Sequence, residues 1–282
     1  MVIAVKDDLR CRWKYCQMHD MMREVCLYKA KEENFLQFIK VPTTSTSTIN
    51  AHTPTRSRRL AVYGGGNALD IMGRINNQNA RSVLGFELDI NFLNQSAQGF
   101  RNLLLLRVLD LSLLSPGCGY SRGGRIPSSI GKLIHLRYLS LDMGWATHVP
   151  SSLRNLKLLI YLSIFSFESF HLPSIIFKEM VELRFLQLPF RIKAKTKLEL
   201  GNLVNLECLR WFQSEYGSIT DFLRMKRLRS LQVVLKGRYT SLKELVITHK
   251  NKEWKTKLVP GGESYHKVQH IPSVQLHYEG HE

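Results

Sequence analysis

The segments LRVLDL, at residues 106–111, and LRYLSL, at residues 136–141, share the spacing Leu-x-x-Leu-x-Leu. The same spacing, with other apolar residues in some positions, returns five more times along the chain. The middle apolar residue of the seven copies lies at positions 109, 139, 162, 186, 209, 231 and 245, so successive copies are 30, 23, 24, 23, 22 and 14 residues apart. This regular return predicts a repeat protein rather than one compact core.

A period of roughly 20–29 residues is typical of leucine-rich repeats. Each repeat supplies a short strand, and the strands stack in parallel into a curved solenoid. The predicted fold class is therefore α/β, a leucine-rich-repeat solenoid over residues 59–248. Its first two strands are the degenerate segments at 59–63 (RLAVY) and 82–86 (SVLGF), as expected for terminal repeats that must also meet water.

The final interval of 14 residues is too short for a full repeat. Two explanations stay open: residues 242–247 are a shortened cap, or repeats were lost between residues 234 and 241. Residues 249–282 carry few periodic apolar residues, so we predict a loose C-terminal tail there.

Ahead of the repeats, residues 2–5 (VIAV) and 11–16 (CRWKYC) predict a small hairpin. Residues 18–39 predict a helix, and its apolar face around Met22 and Val25 requires a packing partner. The Ser/Thr-rich stretch 41–58 predicts a linker that separates residues 1–40 from the repeats.

The composition is strongly basic, with 40 Lys and Arg against 23 Asp and Glu and a net charge of +17. Such an excess makes nucleic acid and anionic membranes possible partners. The basic residues are spread along the chain, so we do not expect a dedicated nucleic-acid site, and a basic nucleic-acid-binding protein is kept only as an alternative. No apolar stretch is long enough to span a bilayer. The five cysteines form no CxxC pair, which favours reduced thiols in a cytoplasmic protein over zinc ligands or disulfides.

Catalytic motifs are absent from the sequence. Gly131-Lys132 fails as a P-loop because Ile126 stands where the first glycine is needed and Leu133 where Ser or Thr is needed. The histidines form no HExxH arrangement, and no Gly-x-Ser-x-Gly elbow is present. We therefore predict a protein that is not an enzyme and that has no catalytic or metal-ligating residues.

The predicted binding surface is the concave face of the solenoid, onto which alternate residues of each strand point. Tyr138, Tyr161 and Phe185 occupy the same position on three neighbouring strands and would form an aromatic column. Two interpretations remain open: such rings dock a partner, or they stabilise the sheet by stacking on each other. The candidate binding residues are Tyr138, Tyr161, Phe165, Phe185, Arg210 and Phe212.

Residues 17–25 (QMHDMMREV) resemble the Met-His-Asp motif of plant nucleotide-binding leucine-rich-repeat disease resistance proteins. The preceding MVIAVKDD looks like the end of the winged-helix subdomain of that family. The repeat text IPSSIGKLIHLRYLSL, at 126–141, is similar to its coiled-coil class, in particular to downy-mildew and viral resistance proteins of crucifers. The ending EWKTKLVPGGESYHKVQHIPSVQ, at 253–275, looks like the C-terminus of the same group.

This resemblance implies a winged-helix remnant over residues 1–40 and a plant immune recognition module. Its concave face would bind a pathogen effector, a guarded host protein or a sibling receptor; the alternative is an inert, degenerate fragment of a resistance receptor. In the family, the motif's histidine contacts the phosphate of bound ADP, a role that falls on His19, with Met18 and Asp20 as neighbours. Since the family's P-loop is missing, we expect that neither ADP nor ATP binds to this chain independently. We expect His19 to act instead as a residue at the start of a helix.

Overall fold

The computed structural model describes most of the repeat region and parts of both ends of the chain. The described residues are 2–7, 12–40, 57–63, 78–88, 100, 102–113, 126–142, 147–166, 169–193, 197–213, 216–217, 219–234, 245–249, 260–261 and 274–278. Residues 114–125, residues 41–56 of the predicted linker, and residues 235–244, where lost repeats were considered, lie outside this set.

A parallel sheet of nine described strands forms the centre of the molecule. Strands that are neighbours in this sheet are consecutive along the chain, once the short strands of another sheet are set aside. Each repeat therefore adds one strand beside the last. The prediction of a leucine-rich-repeat solenoid is therefore confirmed. The strands are β3 (Gln37–Lys40), β4 (Arg59–Tyr63), β5 (Ser82–Leu88), β6 (Val108–Leu113), β7 (Tyr138–Asp142), β8 (Tyr161–Phe165), β10 (Phe185–Gln187), β12 (Cys208–Gln213) and β13 (Ser230–Val234).

The leucines that define the repeat form the hydrophobic core behind this sheet. Leu109, Leu139, Leu162, Leu186 and Leu209 are register partners on consecutive strands, and all are buried. Because inward residues alternate with outward ones along a strand, this register fixes which residues reach the opposite face. The concave face is defined from here on as the face of the nine-stranded sheet that points away from this core.

The strands are held in register by a repeated hydrogen-bond pattern at the point where the chain enters each strand. The Arg107 carbonyl accepts the N–H groups of Arg137 at 2.8 Å and Tyr138 at 3.0 Å. The Arg137 carbonyl in turn accepts those of Ile160 at 2.8 Å and Tyr161 at 3.0 Å. A slip by one residue would break these paired bonds and turn the leucines toward water.

On the opposite side of the core, the chain returns through short 3-10 helices. They span Ser128–Lys132, Ser151–Asn155, Ser174–Phe177 and Ile219–Arg224. Three of them begin directly after a proline, which presets the backbone angle of the turn and has no N–H to satisfy.

At the N-terminal end, the predicted hairpin is confirmed: β1 (Val2–Asp7) pairs antiparallel with β2 (Arg12–Met18). Helix α1 spans Asp20–Glu32, so the prediction of a helix over 18–39 is wrong at both ends. The helix stops because Asn34 adopts a left-handed φ of 51° and the Phe35 N–H returns to the Ala30 carbonyl at 2.8 Å.

Residues 37–40 therefore leave the helix and form β3, the first strand of the nine-stranded sheet. The sheet thus begins ahead of the predicted linker at 41–58. The repeat pattern in the sequence does not reveal this first strand. Since most of that linker lies outside the described residues, the division into a remnant and a repeat region stays a prediction.

Three further sheet elements lie outside the nine strands. The short strands β9 (Ser169–Phe170) and β11 (Arg191–Ile192) pair in parallel beside the return turns. Strand β14 (Leu245–His249) pairs in parallel with β15 (Val274–Tyr278) in a separate sheet. Because β15 lies within residues 249–282, the prediction of a loose tail is wrong for that part of the segment.

Candidate functional site

The strand register brings Tyr138, Tyr161 and Phe185 side by side on the concave face, as the sequence predicts. The ring centroids of Tyr138 and Tyr161 are 4.3 Å apart with an interplanar angle of 9°. Those of Tyr161 and Phe185 are also 4.3 Å apart, at 6°. These three residues are called the aromatic column. The stacking interpretation is thus confirmed, and all three side chains remain partly exposed, so their edges stay available to a partner.

Charged side chains stand at the two ends of the aromatic column. The Tyr138 hydroxyl donates to Asp110 Oδ2 at 3.3 Å, across the boundary between β6 and β7. At the far end, the Arg210 guanidinium carbon lies 5.9 Å from the centroid of the Phe185 ring, within the range of a cation–π interaction. The order of groups along the concave face is therefore carboxylate, three rings and guanidinium.

The outward position two residues later on β7, β8, β10 and β12 is polar and, unexpectedly, buried. Ser140, Ser163, Gln187 and Arg210 are register neighbours and are all nearly inaccessible to solvent. These side chains therefore form the floor beside the aromatic column rather than its contact surface. The Arg210 side chain is only 6% exposed, which leaves little of its surface for a partner.

The prediction that Phe212 is a binding residue is wrong, because its side chain is 1% exposed and lies in the core. Its ring packs edge-on against Phe222, with centroids 4.8 Å apart. The cause is a register shift in β12 between Leu209 and Phe212, at which Trp211 takes a left-handed φ of 60°. A bulge of this kind adds one residue and turns the following side chain to the other face.

The bulge also redirects Trp211, which sequence reasoning did not single out. Trp211 packs partly on the core, and its ring meets that of Phe190 edge-on at 5.0 Å. The Gln213 amide donates to the Phe190 carbonyl and ties the bulged strand to its neighbour. Phe165, the remaining predicted contact, is half-buried on β8, so a partner could reach part of it.

Arginines occupy the residue just before six of the nine strands, and two of those strands, β7 and β10, carry rings of the aromatic column. These arginines are Arg58, Arg81, Arg107, Arg137, Arg184 and Arg229, and they are called the arginine row. The backbone bonds already described place Arg107 beside Arg137 on adjacent strands, and strands in a sheet are about 4.8 Å apart. Five of these side chains are exposed, and Arg81 is half-buried.

Among the residues that the structure describes, few partners neutralise the arginine row. Arg184 meets Glu207 at 3.7 Å, and Arg81 donates to the Leu105 carbonyl at 3.2 Å. Four of the six arginines carry a sequence signal, the Leu-Arg pair in LRVL, LRYL, LRFL and LRSL, and they are too far apart along the chain to form a charge cluster.

His19 lies at the start of α1, which confirms its predicted helix-start role. Its Nδ1 accepts the Met21 N–H at 3.4 Å, and the side chain is exposed. In the neutral ring, the proton is then on Nε2, so the ring offers a single N–H donor, on the side away from the helix. A phosphate cradle needs several backbone N–H groups together, and a single ring N–H does not supply them. The residues around His19 therefore do not by themselves fit a nucleotide.

Neither a metal site nor a membrane-spanning helix is found among the described residues. Within the described ranges, three or more metal-ligating side chains do not converge anywhere. Helix α1 is too short and too polar to cross a membrane. The other described helices are also not long and apolar enough to do so. Within the described residues, Cys26 and Cys208 do not form disulfide bonds.

The chain was compared with known proteins. A family model described as "Leucine-rich repeat region" matches residues 79–281. The probable disease resistance RPP8-like protein 2 of Arabidopsis thaliana is 52% identical over 253 residues, which cover 87% of this chain and 27% of that protein. The disease resistance protein RPP8 of the same plant is 51% identical over 240 residues, covering 84% of this chain and 26% of that protein.

The disease susceptibility protein LOV1 of Arabidopsis thaliana is 49% identical over 237 residues, which cover 83% of this chain and 25% of that protein. The chain thus spans about a quarter of the length of the curated relatives it matches. The family model covers the strands from β5 onward and the return turns described above. This chain therefore belongs to the leucine-rich repeat family, and over most of its length it is similar to disease resistance proteins of Arabidopsis.

Proposed function

We propose that this chain is a non-enzymatic recognition module of plant immunity that binds a protein partner through the concave face. The observation that carries the proposal is the aromatic column, three rings ordered in the free protein with their edges accessible. Aromatic anchors supply much of the binding energy at interfaces, and rings that are already ordered lose little entropy on binding. The similarity to proteins named for disease resistance supports an immune role.

The partner would be a pathogen effector, a guarded host protein or a sibling receptor, and the interaction would take place in the cytoplasm. The arginine row beside the column gives this part of the surface a positive potential, which favours an acidic partner surface. Nucleic acid is also acidic, but single strands bind proteins largely by stacking bases on exposed aromatic faces. In the aromatic column both faces of Tyr161 are already covered by its neighbours, which favours protein as the partner.

Replacing Tyr138, Tyr161 and Phe185 together by Ser is expected to weaken partner binding by more than about a hundredfold, since interface hot spots each contribute about 2 kcal/mol or more. The partner would be identified by proximity labelling of the wild-type chain in leaf tissue. Its affinity for the wild-type and triple-variant chains would then be compared by surface plasmon resonance.

The matched control replaces three exposed apolar residues outside the strands, Ile134, Leu158 and Val204, by Ser. This control is expected to keep wild-type affinity. Circular dichroism would establish that both variants are folded. Wild-type affinity in a folded triple aromatic variant would show that the column is not the contact surface.

The second candidate, an inert fragment of a resistance receptor, is motivated by helix α1. None of its described side chains is buried, and Met22 and Val25 are 54% and 56% exposed. An exposed apolar helix face favours aggregation or requires a partner. Transient expression in leaf, alone and together with a full-length relative, separates the two candidates: cell death or its suppression supports the recognition module, and no effect supports the inert fragment.

The purified chain is expected not to bind ADP measurably at micromolar concentrations, because a single ring N–H at His19 does not form a phosphate cradle. Isothermal titration calorimetry with ADP and with ATP tests this. Adenosine serves as a control for contacts that do not involve phosphate. Micromolar binding that is lost in His19→Ala would show instead that the motif holds phosphate without the P-loop.

A further inference from the structure

We propose that Asp110 and Arg210 are positioning residues that hold the two ends of the aromatic column. The column then meets a polypeptide partner through the edges of its rings. The first part concerns the folded chain alone. The second part rests on the proposed function, because it names the chemistry of the partner at the same surface.

The middle of the column has no free ring face. Tyr161 is stacked on Tyr138 on one side and on Phe185 on the other, both at 4.3 Å and within 9° of parallel. Stacking of one aromatic pair is a weak interaction, so a column of three near-parallel rings also depends on support from its surroundings. The strand register provides part of that support, because it places the three backbones side by side.

Asp110 supplies support at one end. Its carboxylate accepts the Tyr138 hydroxyl at 3.3 Å, and Asp110 belongs to the neighbouring strand β6. A hydrogen bond from the tip of the ring to the adjacent strand restricts rotation of the Tyr138 side chain about its bonds. A hydrogen bond to a charged acceptor is also stronger than one between neutral groups.

Arg210 supplies support at the other end. Its guanidinium lies 5.9 Å from the Phe185 centroid, and its side chain is almost fully buried. A buried arginine at an outward position offers little to a partner directly. A cation near an aromatic ring is attracted by the negative charge of the ring face, so the arginine acts on the surface through Phe185.

An aromatic column held in this way selects the chemistry of its partner. The faces of an aromatic ring are negative and its edge is positive. Along the middle of the column a partner can reach ring edges but not the Tyr161 hydroxyl, which is buried, and these edges attract carbonyl and carboxylate oxygens. A polypeptide offers such oxygens along its whole backbone, whereas a nucleobase would need to open the stack in order to bind.

NMR of the full chain, with ring-labelled Tyr and Phe, tests the positioning role without any partner. Ring protons of Tyr161 are expected to show large upfield shifts from the two flanking rings. In Asp110→Ala, the upfield shifts of the Tyr138 ring protons should fall by more than half. In Arg210→Met, the same loss is expected for the ring protons of Phe185. The ring-flip rate of Phe185 should rise by between about twofold and about thirtyfold in Arg210→Met, the range from an exposed to a desolvated cation–π interaction.

Conservative variants separate positioning from a general loss of structure. Asp110→Glu and Arg210→Lys keep the charge and are expected to restore the shifts. Arg210→Gln, a second neutral variant, should behave as Arg210→Met does. Unchanged ring shifts in Asp110→Ala and in both neutral Arg210 variants, with the fold retained, would overturn the proposal.

A short single-stranded RNA at physiological ionic strength tests the class of partner. It should leave the Tyr161 ring resonances unchanged, and RNA-induced shifts at Tyr161 would overturn the edge-on mode. The protein partner should shift the Tyr161 resonances without abolishing the stacking displacement. If the triple Ser variant kept its partner while the end variants still altered the ring shifts, the proposed function would fail and the positioning role would stand.

Discussion

Leu162→Ala is expected to lower the free energy of unfolding by about 2–5 kcal/mol, the range for removing a buried leucine side chain from a core. Leu162 is 0% exposed and lies in the middle of β8, with Leu139 and Leu186 as its register partners. In a solenoid each repeat contacts only the repeats beside it. A cavity at Leu162 therefore weakens two inter-repeat contacts at once, and other parts of the core cannot compensate.

Urea unfolding followed by circular dichroism measures this loss. The matched control is Leu158→Ala in the same repeat, because Leu158 is 44% exposed and its truncation removes little buried surface. We expect the control to remain within about 0.5 kcal/mol of the wild type. Equal losses in the two variants would contradict the placement of the core.

Gly131→Ala is expected to cost about 1–3 kcal/mol, the usual range for inserting atoms into a packed site. A Cβ atom at Gly131 would overlap the Ser152 carbonyl oxygen and lie 2.6 Å from Ser152 Cβ. Both atoms belong to the next return turn, which the Ser152 hydroxyl ties to the Ser128 carbonyl at 2.8 Å. The obstacle is largely backbone, so the two turns would have to separate in order to admit the methyl group.

Thermal unfolding of Gly131→Ala and Gly201→Ala provides a matched comparison. At Gly201 the nearest atom to an added Cβ is Asp221 Oδ1 at 3.1 Å, which belongs to a side chain that can move. We expect Gly201→Ala to lose less than half as much stability as Gly131→Ala. A Gly131→Ala variant as stable as the wild type would show that the turns pack less closely than the structure indicates.

The fold was predictable because the repeat carries its own register. The Leu-x-x-Leu-x-Leu spacing fixes which residues face inward, and parallel stacking places equal positions on adjacent strands. The aromatic column follows from these two rules alone. β3 was missed because residues 18–39 show a helical rhythm of apolar residues, while the structure ends the helix by a left-handed residue at Asn34, which apolar spacing cannot reveal.

The candidate site was predictable only in part, and each error has a local cause. Phe212 was assigned to the concave face by counting along a regular strand, but the bulge at Trp211 shifts the count by one. Arg210 was placed on the correct face, yet its burial depends on how neighbouring side chains cover it, which strand alternation does not describe. The arginine row was missed because its members are distant in the sequence and become neighbours only through the register.

Stacking also affects how this surface can diversify in evolution. Tyr161 has two ring neighbours within the aromatic column, whereas Tyr138 and Phe185 each have one. A substitution at position 161 removes both contacts and separates the end rings. A later change at 138 or 185 then loses less stacking energy. The three positions are therefore epistatic, and a lineage that acquires a new binding partner through this surface is expected to change them as a set, beginning with the middle one.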